Sequence, residues 1–309
     1  KFGERQTTAW SICILLLAMI FPWYATDQTW LMASFYLIGL IVGLTDVAMN
    51  AEVAEIERQK SKVIMSSCHG FFSIGGMIGA ILSSIFIVGS VSLSYQMMII
   101  AFVLIAVLLP LFKHMINAPA HEAKAGGHFE FPTSKVLAFA VIGFCVMMSE
   151  GGITDWATIF IKENLKVAGE YAGAGFAGFS LLMAIARFQG DSLHIRFGAK
   201  RLVIIGALIA VIGLFLVLLQ TPLWAIIGFS LAGLGYSVIV PILFSAAAKQ
   251  EGVKPSKGIA TVASSGYIGM LAGPVLIGFI ADSYGLVNGF TFLLGLTVLA
   301  LLLSFRALR

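Results

Sequence analysis

Charge is what this chain has least of. Only 11% of its 309 residues are Asp, Glu, Lys or Arg, where ordinary soluble domains carry about 25%. That scarcity excludes a water-soluble domain and leaves no long acidic or basic face for a nucleic-acid partner. Cysteine is scarce too: Cys13, Cys68 and Cys145 lie in three separate apolar stretches. No pair among them has metal-site or redox spacing, so all three read most simply as core residues. There is no phosphate-binding glycine loop, no zinc-ligand cluster and no Ser, His and Asp grouping at helical spacing. Nothing points to catalysis, so the chain is read as no enzyme, and neither cofactor nor metal is expected.

What fills the chain is apolar: 59% of residues are hydrophobic and mean hydropathy is +0.99. A lipid bilayer demands about 20 such residues per helical crossing, because an unpaired backbone N–H or C=O there costs several kcal/mol. Ten runs of that kind follow one another. They cover Thr8 to Tyr24, a stretch from Trp30, Val63 to Ser90, Leu93 to Met115, Pro132 to Phe160, Gly169 to Phe188, Lys200 to Leu219, Pro222 to Ala248, Lys257 to Asp282, and Leu286 to Leu308. The fold class is therefore all-α integral membrane. Pro132, Pro222 and Pro255 stand where helices begin, and Pro22, Pro110, Pro241 and Pro274 fall inside spans or near their ends, where they predict kinks.

Lys and Arg accumulate in cytoplasmic loops. With Lys1 on that side, seventeen of the nineteen basic residues fall inside, and only Lys162 and Lys166 fall outside. The N-terminal loop and the C-terminus are thus expected in the cytoplasm of a bacterial cell, the protein lying in the inner membrane. The net charge of +4 is accounted for by loops facing anionic lipid.

The first residues, KFGERQ, reappear as RFGAKR from Arg196 to Arg201. Lys1-Phe2-Gly3 matches Arg196-Phe197-Gly198 at an offset of 195, and HGFFSIGGMIG from His69 lies against SGYIGMLAGPV from Ser265 at an offset of 196. Each basic motif is followed by four spans, but only the second is preceded by two. This divides the chain into a four-helix bundle over residues 1–116, a polar cytoplasmic linker over 117–131, and a six-helix bundle over 132–309. The arithmetic predicts a six-plus-six protein with roughly 63 residues, two helices, ahead of Lys1, the spacing between Pro132 and Arg196.

Two six-helix halves, a cytoplasmic linker and a basic Arg-x-Gly loop resemble the major facilitator superfamily. The resemblance covers the whole chain and implies two pseudo-symmetric bundles, with family helices 3 to 12 present here. The superfamily's loop pattern G-x-L-x-D-R-x-G-x-[RK] is similar to GDSLHIRFGAKR, matched at Leu193, Arg196, Gly198 and Lys200. Ile195 stands at the acidic position, and Asp191 lies four residues earlier. Gly3, Arg5, Asp191, Arg196, Gly198 and Lys200 are thereby expected to form cytoplasmic gate loops. D-V-A-M-N, Asp46 to Asn50, is similar to the acid-x-x-x-Asn element of fucose-permease-like sugar/proton symporters, and CHGFFSIGG and EGGITDW resemble a bacterial branch near them.

Asp46 and Asn50, four residues apart, share one helix face. An ionised Asp in mid-span costs about 2.5–3.5 kcal/mol, so it should face a polar cavity and act by changing protonation, or else hold two helices together. Gly39 and Gly43 on nearly that face are expected to admit another helix. His69 enters at comparable depth, and we read Asp46 and His69 as a proton-coupling acid and its modulator, the alternative for His69 being a packing or capping donor. Glu52, Glu55 and Glu57 read as solvated or as part of a latch. Around Gly151-Gly152, where local unwinding is expected, Glu150, Asp155 and Trp156 suit a sugar: carboxylates for hydroxyls and an indole for the apolar ring face. The alternative makes Trp156 an interfacial anchor and Asp155 a surface acid. Tyr236 and Tyr267 are candidate cavity residues or packing residues, and GMLAGPVLIG, Gly269 to Gly278, a rocking surface between halves.

The expectation is a secondary active transporter taking up a small polar solute, such as a sugar or sugar derivative, with protons by alternating access. The expected partners are that solute, protons and the bilayer, the chain working as a monomer with no nucleic acid. Export of drugs or metabolites is the alternative, although GFFSIGGMIGA has no proline after its glycines. A non-transporting sensor or assembly partner is the alternative of another class.

Overall fold

A computed structural model describes residues 4–115 and 133–307, apart from the side chains at 80, 81, 84, 169 and 170. The linker expected over 117–131 lies outside the described residues, as does Gly3. All regular structure among the described residues is helical. The helices are α1 (Glu4–Ala18), α2 (Gln28–Lys60), α3 (Met65–Val88), α4 (Leu93–Leu111), α5 (Ser134–Ile159), the short α6 (Gly169–Ala172), α7 (Ala174–Phe197), α8 (Ala199–Val217), α9 (Pro222–Tyr236), α10 (Ile239–Ala248), α11 (Pro255–Tyr284) and α12 (Leu286–Ala307). Eight helical segments among the described residues are long and apolar enough to cross a membrane. Helices α3 and α7 occupy the two remaining expected spans.

Differences from the expected spans are local and have identifiable causes. The span from Pro222 to Ala248 breaks into α9 and α10, because Pro241 lacks the N–H that Ser237 C=O would accept in a continuous helix. Helix α7 runs nine residues past the expected end at Phe188, to Phe197, so Asp191 and Arg196 are residues of the helix and Arg187 lies ten residues inside its end. Conversely, no unwinding occurs at Gly151-Gly152: α5 is continuous from Ser134 to Ile159, and the irregular turn comes later, as a π-helical stretch over Phe160–Asn164.

The chain forms two compact units. One comprises Lys1–Lys62 and Phe72–Glu130, the other Val63–Phe71 and Phe131–Arg309, so the first turns of α3 belong to the second unit rather than to the four-helix bundle expected over 1–116. In the first unit α1 packs on α2 and α4. Asp27 caps α2 by accepting from Trp30 N–H at 2.8 Å, which fixes the turn between α1 and α2.

In the second unit α5 is the central helix, packed by α11, α12, α10 and α7, while α9 joins α8 to α7. Val136, Ile142, Ile153 and Ala157 of α5 are fully buried, and Phe160, Phe229 and Phe290 close one end as a cluster with ring centroids 4.9–6.2 Å apart. Large apolar side chains such as Leu271 and Phe279 are exposed, which suits a surface bathed in acyl chains.

One residue, Gly198, makes the turn from α7 to α8, with φ 77° and ψ 158°, a region that essentially only glycine occupies. Gly198→Ala is expected to lower stability by about 1–3 kcal/mol, read as a reduced thermal midpoint in detergent. An unchanged midpoint would show that the turn can adopt another conformation.

Candidate functional site

The second unit holds an acid and a base inside its helices. The Arg187 guanidinium of α7 lies 3.7 Å from the Glu150 carboxylate of α5, with side-chain exposures of 10% and 17%. His69, on the first turns of α3, is half-buried, packs its ring against Phe244 of α10 at 5.8 Å, and is within electrostatic reach of Arg187. Asp46 belongs to the first unit, on α2.

One turn beyond Arg187, Asp191 performs a different task. Its two carboxylate oxygens accept the backbone N–H groups of Ser66 and Ser67, each at 2.9 Å, and Ser66 Oγ donates to Arg187 C=O at 2.7 Å. These N–H groups sit in the first turn of α3, where a helix has no internal acceptors and where its dipole favours an anion. Gly190 makes the approach possible, since a Cβ there would stand 2.8 Å from Ser66 Cβ and 2.9 Å from Val238 Cγ1. Asp191 therefore supplies an acid one turn before the position where the family pattern has one, and Ile195 at that position is 71% exposed. Asp191→Ala is expected to cost about 2–4 kcal/mol, from two charge-assisted hydrogen bonds lost in a buried setting, and Asp191→Asn less, since one acceptor remains. Equal thermal midpoints for wild type and Asp191→Ala would remove the cap from the account.

The other residues expected in the gate loops are placed as follows, each within its own unit. Arg196 stacks its guanidinium over Phe197 at 5.3 Å, Gly198 makes the turn, and Lys200 is half-buried at the start of α8. Arg5 of α1 lines a cleft of about 460 Å³ in the first unit together with Gln6, Trp10 and Lys113.

In the first unit the Asp46 and Asn50 face is realised. Asn50 Nδ2 donates to the Asp46 carbonyl at 2.8 Å and to its carboxylate at 3.0 Å, and Asn50 is 2% exposed. Of the two readings for Glu52, Glu55 and Glu57, the solvated one fails: they are 5%, 7% and 3% exposed. Glu55 accepts from Arg58 Nε and from Gln59 Nε2, both at 2.7 Å, and Glu52 lines a cleft of about 380 Å³ with Lys60 and His114. Gly39 and Gly43 have no described neighbour within 4 Å of where a Cβ would stand, so no helix among the described residues uses them for close approach.

The glycines of α11 serve packing within the second unit. A Cβ at Gly269 would lie 2.5 Å from Phe144 C=O, and Gly273 abuts Met148 C=O, so both glycines face α5 rather than a surface between halves. Trp156 is half-buried and donates from Nε1 to Pro274 C=O at 3.0 Å, with its ring against Gly278, while Asp155 is exposed. Tyr236 is 1% exposed and its hydroxyl meets Thr297 Oγ1 at 2.6 Å. Thr297 already donates to Leu293 C=O, so the phenol is the donor and is satisfied within the core. Tyr267 is half-buried on α11. Arg187 is not among the expected site residues, although it falls within the expected span Gly169 to Phe188 and is buried on α7.

Residues 139–309 match the sequence family described as Major Facilitator Superfamily. Among curated proteins, the chain is 34% identical over 304 residues to an uncharacterized MFS-type transporter of Yersinia pestis, covering 97% of this chain and 79% of that one. It is 28% identical to the membrane protein MosC of Rhizobium meliloti, covering 96% and 73%. Among solved structures, the fold is similar to FucP in its outward conformation, with TM-score 0.83 at 15% identity over 100% of this chain and 84% of that one. It is also similar to the human organic anion transporter MFSD10, with TM-score 0.77 at 19% identity over 98% and 77%. With a family match over residues 139–309, more than half of the chain, and a relative 34% identical across nearly all of it, the chain belongs to the Major Facilitator Superfamily, whose members are membrane transporters and not enzymes.

Proposed function

We propose that the protein takes up a small polar solute together with protons, by alternating access across a bacterial inner membrane, with the residue 1 loop and the C-terminus cytoplasmic. One observation carries this reading: the Asp46 carboxylate, near the middle of the 33-residue α2, is held by the Asn50 amide at 3.0 Å. A carboxyl group at that depth binds or releases a proton at a cost that depends on which side water reaches it, and this is what coupling requires. The hydrogen bond from Asn50 keeps the acid at one place on the helix in both states. His69 is its proposed modulator, and Glu150, Asp155, Trp156, Tyr267 and Asn50 are the proposed solute contacts. The enclosed, satisfied phenol of Tyr236 has a packing role. Arg5, Asp191, Arg196, Gly198 and Lys200 form the proposed cytoplasmic gate, with the Asp191 cap as the element that must open. The similarity in fold to a structure described as a fucose:proton symporter supports the sugar or sugar-derivative class.

The test is a pH-sensitive dye in proteoliposomes presented with a panel of sugars and sugar derivatives. Proton movement evoked by one of them is expected. Solute flux that moves no protons, or binding with no flux, would overturn the proposal.

A further inference from the structure

We infer that the cleft between α1 and the end of α4 holds the phosphate headgroup of an anionic phospholipid, with an acyl chain laid along the apolar side of α1. This goes beyond the solute reading above and does not rest on it. The cleft measures about 460 Å³ and lies within the first unit, lined by Arg5, Gln6, Trp10 and Cys13 of α1, Leu109 of α4, and Lys113 of the turn that follows it. Arg5, Gln6, Trp10 and Lys113 all carry N–H donors, and no acid among the described residues lines the cleft. Lys113 is exposed and has no carboxylate partner among the described residues. The Gln6 amide and the indole of Trp10, a residue 68% exposed, have no acceptor among them either. Arg5 is half-buried and engaged within the protein as well, so Lys113 is the cation that an outside anion meets. A cleft lined by one sign of charge between apolar walls concentrates counter-ions.

The rest of the wall makes that anion a lipid. Along α1 the lining runs from Arg5 and Gln6 through Trp10 to Cys13, from charge to hydrocarbon in about 12 Å at 1.5 Å per residue. Indole rings settle at the level of lipid headgroups. On the Trp10 side of α1, Ile14 and Leu17 are exposed and continue the track past the cleft. A free phosphate would leave all of this apolar surface uncovered.

The face also points outward. At the repeat offset of 195, Trp10, Cys13 and Leu17 correspond to Ile205, Leu208 and Ile212 of α8. All three are exposed, although α5, α7, α9, α11 and α12 share their unit. The side of α1 and α4 that meets α2 forms the other cleft, the one with Glu52, Lys60 and His114. No described residue of α2 lines the cleft of Lys113, which therefore opens away from the bundle interior. It stands on the proposed cytoplasmic side, where the leaflet surface is negative and a basic pocket between helices suits an anionic headgroup.

The probes are phosphatidylglycerol, phosphatidylcholine with the same acyl chains, and inorganic phosphate. Each is titrated into the purified full chain in detergent and read by native mass spectrometry and by the thermal midpoint. Phosphatidylglycerol is expected to bind about tenfold tighter than phosphatidylcholine, the worth of one charge-assisted hydrogen bond, and to raise the midpoint. Inorganic phosphate at the same concentration should do neither. Lys113→Gln should remove the preference and Lys113→Arg should keep it, both leaving the proposed gate residues untouched. Lys254→Gln removes an exposed cation of the second unit and should leave the preference whole. Equal affinity for the two lipids, an intact preference in Lys113→Gln, or an equal loss in Lys254→Gln would overturn the assignment. Displacement of phosphatidylglycerol by inorganic phosphate would give the cleft to a free anion and overturn the lipid.

Discussion

Replacing Asp46 by Asn is expected to abolish proton-driven accumulation in proteoliposomes while leaving solute exchange down its own gradient intact. The substitution is nearly isosteric, and the oxygen that accepts from Asn50 Nδ2 at 3.0 Å is retained, so α2 keeps its local geometry. What disappears is the ability to carry a proton. An amide is neutral in every state, so the cost of about 2.5–3.5 kcal/mol for an ionised acid in mid-span, which couples protonation to access, is removed. Uptake driven by a pH gradient at the wild-type rate would exclude Asp46 as the coupling acid. Loss of both exchange and accumulation would make it a residue of the solute site or of the fold. His69→Gln should show a smaller effect, confined to the pH profile.

The largest structural effect is expected at Gly151. A Cβ at this position would lie 2.6 Å from the Met270 carbonyl oxygen and 3.3 Å from its carbonyl and α carbons, closer than real side chains approach the backbone. The carbonyl is there for a reason: Pro274, four residues on, has no N–H to offer it within α11. Trp156 Nε1 then ties the two helices at Pro274 C=O, 3.0 Å away. Gly151→Val forces α5 and α11 apart and should cost about 1–3 kcal/mol or more, visible as loss of folded yield and a lowered thermal midpoint. Gly75→Ala is the control, because nothing described lies within 4 Å of a Cβ there. Equal stability of the two variants would mean that the α5 and α11 seam adapts, against the close packing described above.

Much of the architecture follows from local rules. An apolar run of span length in lipid has to be a helix, because only a helix satisfies every backbone group within the segment. The number and order of the spans were therefore legible before any contact was known, and so was the Asp46 and Asn50 pair, since four residues along one helix bring two side chains together whatever surrounds them. Helix ends were less legible. The expected span stops at Phe188, whereas α7 runs on to Phe197, so polar residues as far as Arg196 belong to the helix.

Tertiary structure alone decided which faces meet. Glu150 and Arg187 are 37 residues apart in sequence, and Asp191 caps Ser66 across 125 residues. No periodicity within either segment carries those distances. The glycines show the same division: Gly151-Gly152 read as a place of unwinding and Gly269 to Gly278 as a rocking surface, but only the packed helices show that they join α5 to α11, while Gly39 and Gly43 have no described neighbour. The physical reason is range. Hydropathy and helical period act over a few turns of one segment, whereas the partner of a buried charge or of a glycine depends on how separate helices are rotated against each other.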